Sequence, residues 1–364
     1  MLRRNLGFGD VMSMRSLNSL FFTPRKLCRM SLDDLRLYGA LSRLNWTLIA
    51  AFCLAAGATV SVTRLRLSGN LIPLPLVVIV GSGLLSLFYT YVRRDAFVAV
   101  LSNTIALAAA ANFAAGLLSY TTQFWGASIP LRDANFAEFD SVLGFDWVAW
   151  FSWLNARPLL ATILRAAYVS LPFQILFLSI AQFVFSWELG VQRLFLATLL
   201  AGIMTFTVAA VLPALGAYPH FESLLDLAKV RIFPVVTNAH VADLLNLRGS
   251  RPIIPIDDYQ GIITFPSFHT VLGILFIWAA WPNFAMRWAA ISVNGLLIIA
   301  TPVFGAHYGA DVIAGAGVAF VGIWAASYIS REIAYSQQGP ASSTPRFAEA
   351  GVTERILSNP AQNS

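Results

Sequence analysis

Eight stretches of this 364-residue chain are apolar over close to the length of a bilayer crossing, and that pattern limits the fold more than any other feature. A helix that spans hydrocarbon needs about 20 mostly apolar residues. Leu44–Thr63, Leu67–Val92, Ala96–Tyr120 and Leu194–Tyr218 carry no charge, and neither do Trp288–Gly305 and Val312–Ser330. Leu159–Ser186 is interrupted only by Arg165, and Ser267–Met286 only by His269. In lipid each segment must satisfy its backbone hydrogen bonds internally, which favours helices. The expected fold is an all-α integral membrane protein: a polytopic bundle of eight transmembrane helices. Charged residues are 12% of the chain, against roughly 25% in soluble domains, so much of the surface must face lipid. The net charge of +6 then reads as an orientation signal, and nucleic acid is not an expected partner. Cys28 and Cys53 show no disulfide or zinc-motif spacing.

Four regions follow. Residues 1–43 form a basic arm with Arg3, Arg4, Arg15, Arg25, Lys26, Arg29, Arg36 and Arg43, expected in the cytoplasm and without signal-peptide shape. Residues 44–94 hold two accessory transmembrane helices, and residues 95–331 the main membrane domain. Residues 332–364, rich in Ser, Pro, Ala and Gln, form a disordered cytoplasmic tail. Between the third and fourth spans, the Trp- and Phe-dense run from Phe145 to Trp153 suits an amphipathic helix in the interface, its tryptophans forming a belt. With the N-terminus inside, Arg93, Arg94, Arg193, Arg287 and Arg331 all fall in the cytoplasm, while Arg64 and Arg66 dissent. Loops 121–158, 216–265 and 305–308 then face away from it. The localisation expected is a plasma or inner membrane, with both termini cytoplasmic and the site extracytoplasmic.

Polar residues that break apolar spans are functional candidates. His307 and Asp311 stand four apart, so they share a helix face, and Asp311 leans back toward the histidine. A carboxylate on one imidazole nitrogen fixes the tautomer and frees the other as a base or nucleophile. His269 sits in the first turn of a helix opened by Pro266-Ser267, where free N–H groups and the Ser267 hydroxyl suit an anion. The bland alternative for Ser267 is a helix cap. Arg165 lies two turns into its span at matching depth, and its planar fork suits phosphate; otherwise it snorkels. Arg248 and Arg251 are phosphate candidates in the loop feeding the His269 helix, or ordinary solvated charges. His220 and His240 read as loop residues, Tyr168 and Gln174 as polar glue between helices.

Pro266-Ser267-Phe268-His269 resembles the second motif of the type 2 phosphatidic acid phosphatase (PAP2) superfamily, and His307 to Asp311 resembles its third, His-x-x-x-Asp. The first motif, Lys-x6-Arg-Pro, is half present: Arg251-Pro252 fits, while Leu244 stands at the lysine place. The third motif usually opens with Ser-Arg, where this chain has Ala300 and Thr301, and Phe268 replaces a usual glycine. These departures resemble the inositol phosphorylceramide synthase-like branch and its bacterial relatives. Leu247-Arg248-Gly249, the Gly261–Pro266 stretch and Gly144-Phe145-Asp146-Trp147 also resemble that branch. The resemblance implies a six-helix catalytic core within 95–331 and a phosphoryl-transfer enzyme without cofactor or metal. In that reading His307 attacks phosphorus, Asp311 orients it, and His269 protonates the leaving oxygen. Arg251, with Arg165 or Arg248 in place of the missing arginine, and Ser267 hold the phosphoryl oxygens. A lipid phosphate or phospholipid is the implied partner, with water or an alcohol as acceptor. The alternative is a non-enzymatic lipid transporter or scaffold that keeps the fold.

Overall fold

A computed structural model describes residues 32–69, 74–185, 188–235, 238–258 and 261–337. Cys28, the arm before Leu32 and the tail after Gln337 lie outside the described residues. Thirteen α-helices make up nearly all of the described chain. They are α1 (Leu32–Val62), α2 (Leu74–Tyr91), α3 (Ala96–Trp125), α4 (Asp133–Val142), α5 (Trp147–Asn155), α6 (Pro158–Val169) and α7 (Leu171–Phe185). After these come α8 (Glu188–Val211), α9 (Ala217–Phe221), α10 (Asn238–Leu247), α11 (Phe268–Ala280), α12 (Phe284–Phe304) and α13 (Gly309–Gln337). Two three-residue strands, β1 (Arg66–Ser68) and β2 (Ile253–Pro255), pair in parallel, a small departure from an all-helical chain.

Among the described residues six helices are long and apolar enough to cross a membrane: α1, α2, α3, α8, α12 and α13. The fourth apolar window is divided. Pro172 has no N–H for the Tyr168 carbonyl, and α6 and α7 meet at a 46° bend around Ser170, a bent pair that makes a seventh span if it crosses as one unit. The sixth window, expected to run to Met286, yields the 13-residue α11, because Pro282 cannot continue the helix. Asn283 then caps α12, its side chain accepting from the Met286 N–H at 3.1 Å. The second window starts late, at Leu74, with Pro75 in its first turn.

Apolar packing organises the bundle in layers. Leu41 of α1, Leu196 and Ala201 of α8, Val271 and Leu275 of α11, and Ala319 of α13 form one core. The Asn45 amide adds hydrogen bonds to Gln192 of α8, at 2.9 Å to its side chain. Of the two helices set apart as accessory, α1 is therefore built into the core. Only α2, with no buried residue, stands at the edge, packed on α3. Leu84, Phe88, Phe173, Phe177, Phe320 and Trp324 remain exposed on the helices, a surface that water penalises and hydrocarbon does not.

A second core lies at the end of the bundle where α4, α5, α6, α9 and the 304–310 turn meet. Here the expected tryptophan belt is corrected. Trp147 is 2% exposed, and its indole donates to the Pro302 carbonyl in the last turn of α12 at 2.9 Å. The turn carbonyl has no helical partner, so a buried donor is favoured over a lipid-facing ring. Trp153 alone of the three is exposed, with the Arg157 guanidinium over its ring.

Candidate active site

Two helix starts, each built from local sequence, converge. At the first, Ser267 caps α11: its hydroxyl oxygen accepts from the Thr270 N–H at 3.4 Å and the Thr270 hydroxyl at 3.2 Å. His269 follows in the opening turn. At the second, Asp311 lies in the first turn of α13, and one carboxylate oxygen holds both His307 Nδ1 at 2.9 Å and the Tyr308 N–H at 3.0 Å. His307 is 3% exposed and Asp311 is fully buried, so water does not compete for this contact. The Ser267 N–H donates to the Asp311 carbonyl at 3.0 Å, tying the two starts together. This close approach depends on Gly315. A Cβ there would stand 2.5 Å from the Ser267 carbonyl oxygen.

The two imidazoles face one another, ring centroids 6.3 Å apart and inclined by 62°. Tyr168 of α6 stacks on His269 with centroids 4.4 Å apart, its hydroxyl 3.3 Å from His269 Nδ1. The residue read as helix glue is thus the one that orients this histidine. Gln174 does join helices, its side-chain oxygen accepting from Asn294 at 2.9 Å.

Two carboxylates on α4 hold the His307 turn in place, and sequence reasoning missed both. Asp140 accepts from the Gly309 and Ala310 N–H groups at 2.7 and 2.8 Å, capping α13. Burial pushes the Asp140 carboxyl up, and these two bonds pull it back. Asp133 accepts from the Tyr308 hydroxyl at 3.0 Å and from the Leu215 and Gly216 N–H groups. Their spacing of seven on a short helix was the available signal, since it puts both on one face. Ala306 takes a left-handed φ of 56° just before His307, and its carbonyl accepts from the Ala217 N–H at 2.7 Å.

The three candidate arginines fare differently. Arg165 and Arg251 are exposed and make no hydrogen bond or ion pair among the described residues. Arg248 is half-buried. One guanidinium nitrogen, Nη1, donates to the Ala127 and Ile129 carbonyls at 3.0 and 2.9 Å. Its Nε and Nη2 are buried without partners. Burial pushes the Arg248 pKa down, opposed by the charge of nearby Asp133. Leu244, at the place of the first-motif lysine, is buried in the α10 packing. His240 lies against the Leu215 carbonyl at 3.2 Å, and His220 packs edge-on against Phe221 and Tyr308. Among the described residues no three His, Cys, Asp or Glu side chains cluster as metal ligands.

Fold and site together define a polytopic helical membrane protein with a carboxylate-oriented histidine facing a second histidine. A family profile described as the PAP2 superfamily matches residues 134–325, more than half of the chain, and the chain belongs to that superfamily. Ser267, His269, His307 and Asp311 all fall within the match. Membership implies a phosphatase or phosphotransferase kind of activity, a membrane setting and lipid phosphate substrates. Comparison with curated proteins and with solved structures finds no match in either.

Proposed function

We propose that this protein transfers a phosphoryl group from a lipid phosphate or phospholipid by way of a phosphohistidine at His307. The observation that carries the reading is the buried His307–Asp311 pair, 2.9 Å apart, opposite His269. With Nδ1 bound to Asp311, His307 offers Nε2 to phosphorus. The P–N bond forms as the P–O bond to the lipid alkoxide breaks, and protonated His269 gives that oxygen its proton. Asp311 balances the positive charge that His307 acquires. In the second half, His269 takes a proton from the acceptor hydroxyl, whose oxygen displaces His307 from phosphorus. Tyr168 holds the His269 ring in plane for both steps. Of the three candidate arginines, Arg248 best suits a phosphate, since its buried Nε and Nη2 lack acceptors. The Ser267 hydroxyl serves first as a helix cap, its oxygen already taken by Thr270.

Water as acceptor makes the protein a lipid phosphate phosphatase. An alcohol makes it a headgroup phosphotransferase, the version favoured by the bulky Phe268 before His269 and by the place of Thr301, which resemble the inositol phosphorylceramide synthase-like branch. We place the site on the extracytoplasmic face. The β1–β2 pairing brings the 66–68 and 253–255 segments to one end of the bundle. The helix order puts Arg93, Arg94, Arg193, Arg287 and Arg331 at the other. Purified protein incubated with labelled phosphatidate and phosphatidylinositol tests the reading. Free phosphate supports the phosphatase, and a new phospholipid the transferase. His307→Ala is expected to abolish either product, and full turnover in that variant overturns the mechanism.

A further inference from the structure

An apolar cavity of about 100 Å³ opens inside the bundle between α1, α3, α7, α8 and α11. Phe268, the residue directly before His269, forms part of its wall. Leu272 and Phe276 line it from the next turns of α11. Phe268 to Phe276 covers roughly 12 Å of helix axis, at 1.5 Å per residue. The cavity therefore runs from the level of the imidazoles into the hydrocarbon region.

Its walls suit a chain and not a headgroup. No Asp, Glu, Lys, Arg or His lines it; Asn112 and Thr198 are its polar members. On α3, Ala110 and Ala114 are buried in the packing against neighbouring helices, while the partly buried Ala111 and Ala115 also border the empty space. Small residues within a bilayer usually bring helices into contact; here they keep two helices from filling a gap. Gly202 of α8 does the same, since a Cβ there would meet only the Phe206 ring, at 3.5 Å.

We propose that this cavity seats one hydrocarbon chain of the lipid whose phosphate lies between His269 and His307, and that its depth sets chain-length preference. The proposal rests on reading those histidines as the phosphoryl site. Phe268 in the cavity wall and His269 follow one another on α11, so the outer end of the cavity lies at the level of the phosphate, within reach of a chain attached to it.

The test compares turnover of dioleoyl and dioctanoyl phosphatidate by wild type, Gly202→Leu and Ala111→Phe. Either substitution shortens the cavity, and the long-to-short ratio is expected to fall about tenfold or more, the discrimination that a lost methylene space gives in an apolar pocket. An unchanged ratio in both variants, whether or not total turnover drops, overturns the proposal. A second measurement does not depend on turnover. Phosphatidate carrying a diazirine near one acyl terminus is photolysed with the His307→Ala protein and the adducts are mapped. Adducts on the peptides holding Ala111 and Gly202 support the cavity, and adducts confined to lipid-facing α2 overturn it. Cavity adducts without any product from wild type retain the chain site and reject the reaction; product with adducts elsewhere does the reverse.

Discussion

Gly305 leaves no room for a methyl group. A Cβ there would stand 2.6 Å from His307 Cδ2 and 2.8 Å from both the Thr301 carbonyl oxygen and the Tyr168 hydroxyl. The two rings it would strike are those that set the geometry of the two imidazoles. Gly305→Ala should therefore displace His307 or Tyr168 by a fraction of an ångström. Turnover is expected to fall by on the order of 100-fold, the scale of loss for small misplacements of reacting groups, with the helical circular dichroism retained. At Asp311 the expectation is electrostatic. Asp311→Asn keeps the size of the side chain but removes the charge that matches a positive His307 and changes the tautomer it selects. Turnover should drop by a factor of about 1,000 or more, read as initial rate at saturating lipid.

At the scale of elements, the site depends on how closely α11 and α13 approach and on what caps α13. Gly315 permits the approach, because any larger side chain meets the Ser267 carbonyl. Gly315→Val should cost about 1–3 kcal/mol through forced overpacking and should separate His269 from His307, so thermal unfolding in detergent and turnover fall together. Asp140 belongs to a different element, yet it closes the head of α13. Asp140→Ala leaves the Gly309 and Ala310 N–H groups without their acceptor. The expected loss is about 2 kcal/mol, with faster hydrogen exchange confined to the 305–311 turn. Exchange unchanged at that turn would show that α4 does not hold it.

At the scale of the whole molecule, the pairing of β1 with β2 and the layers built on α1 make one bundle from helices that hydropathy treats as separate. Orientation is the property to test here. In a chain whose native cysteines have been replaced, a cysteine at exposed Ser250 should react with a membrane-impermeant thiol reagent in intact cells. A cysteine at exposed Arg94 should react only after the membrane is opened. The opposite pattern would turn the site toward the cytoplasm and overturn the assignment made from arginine counts.

What could be read without the structure had local causes. Apolar runs partition into lipid whatever surrounds them. A histidine and an aspartate four residues apart meet through helix geometry alone, so the His307–Asp311 pair was legible, as was a helix start just before His269, although Ser267 caps it and Pro266 lies ahead of the first turn. Periodicity says nothing about partners remote in sequence. The contact of Asp140 with Ala310 spans 170 positions, and that of Asp133 with Tyr308 spans 175. Only the folded bundle decides them, through the fit of α4 against the turn. The same applies to Tyr168 on His269, 101 positions apart, and to the exposure of Arg165 and Arg251 while Arg248 is drawn inward. Three arginines of equal charge are equivalent in a sequence, and they become unequal once burial decides which N–H groups lose water and need an acceptor.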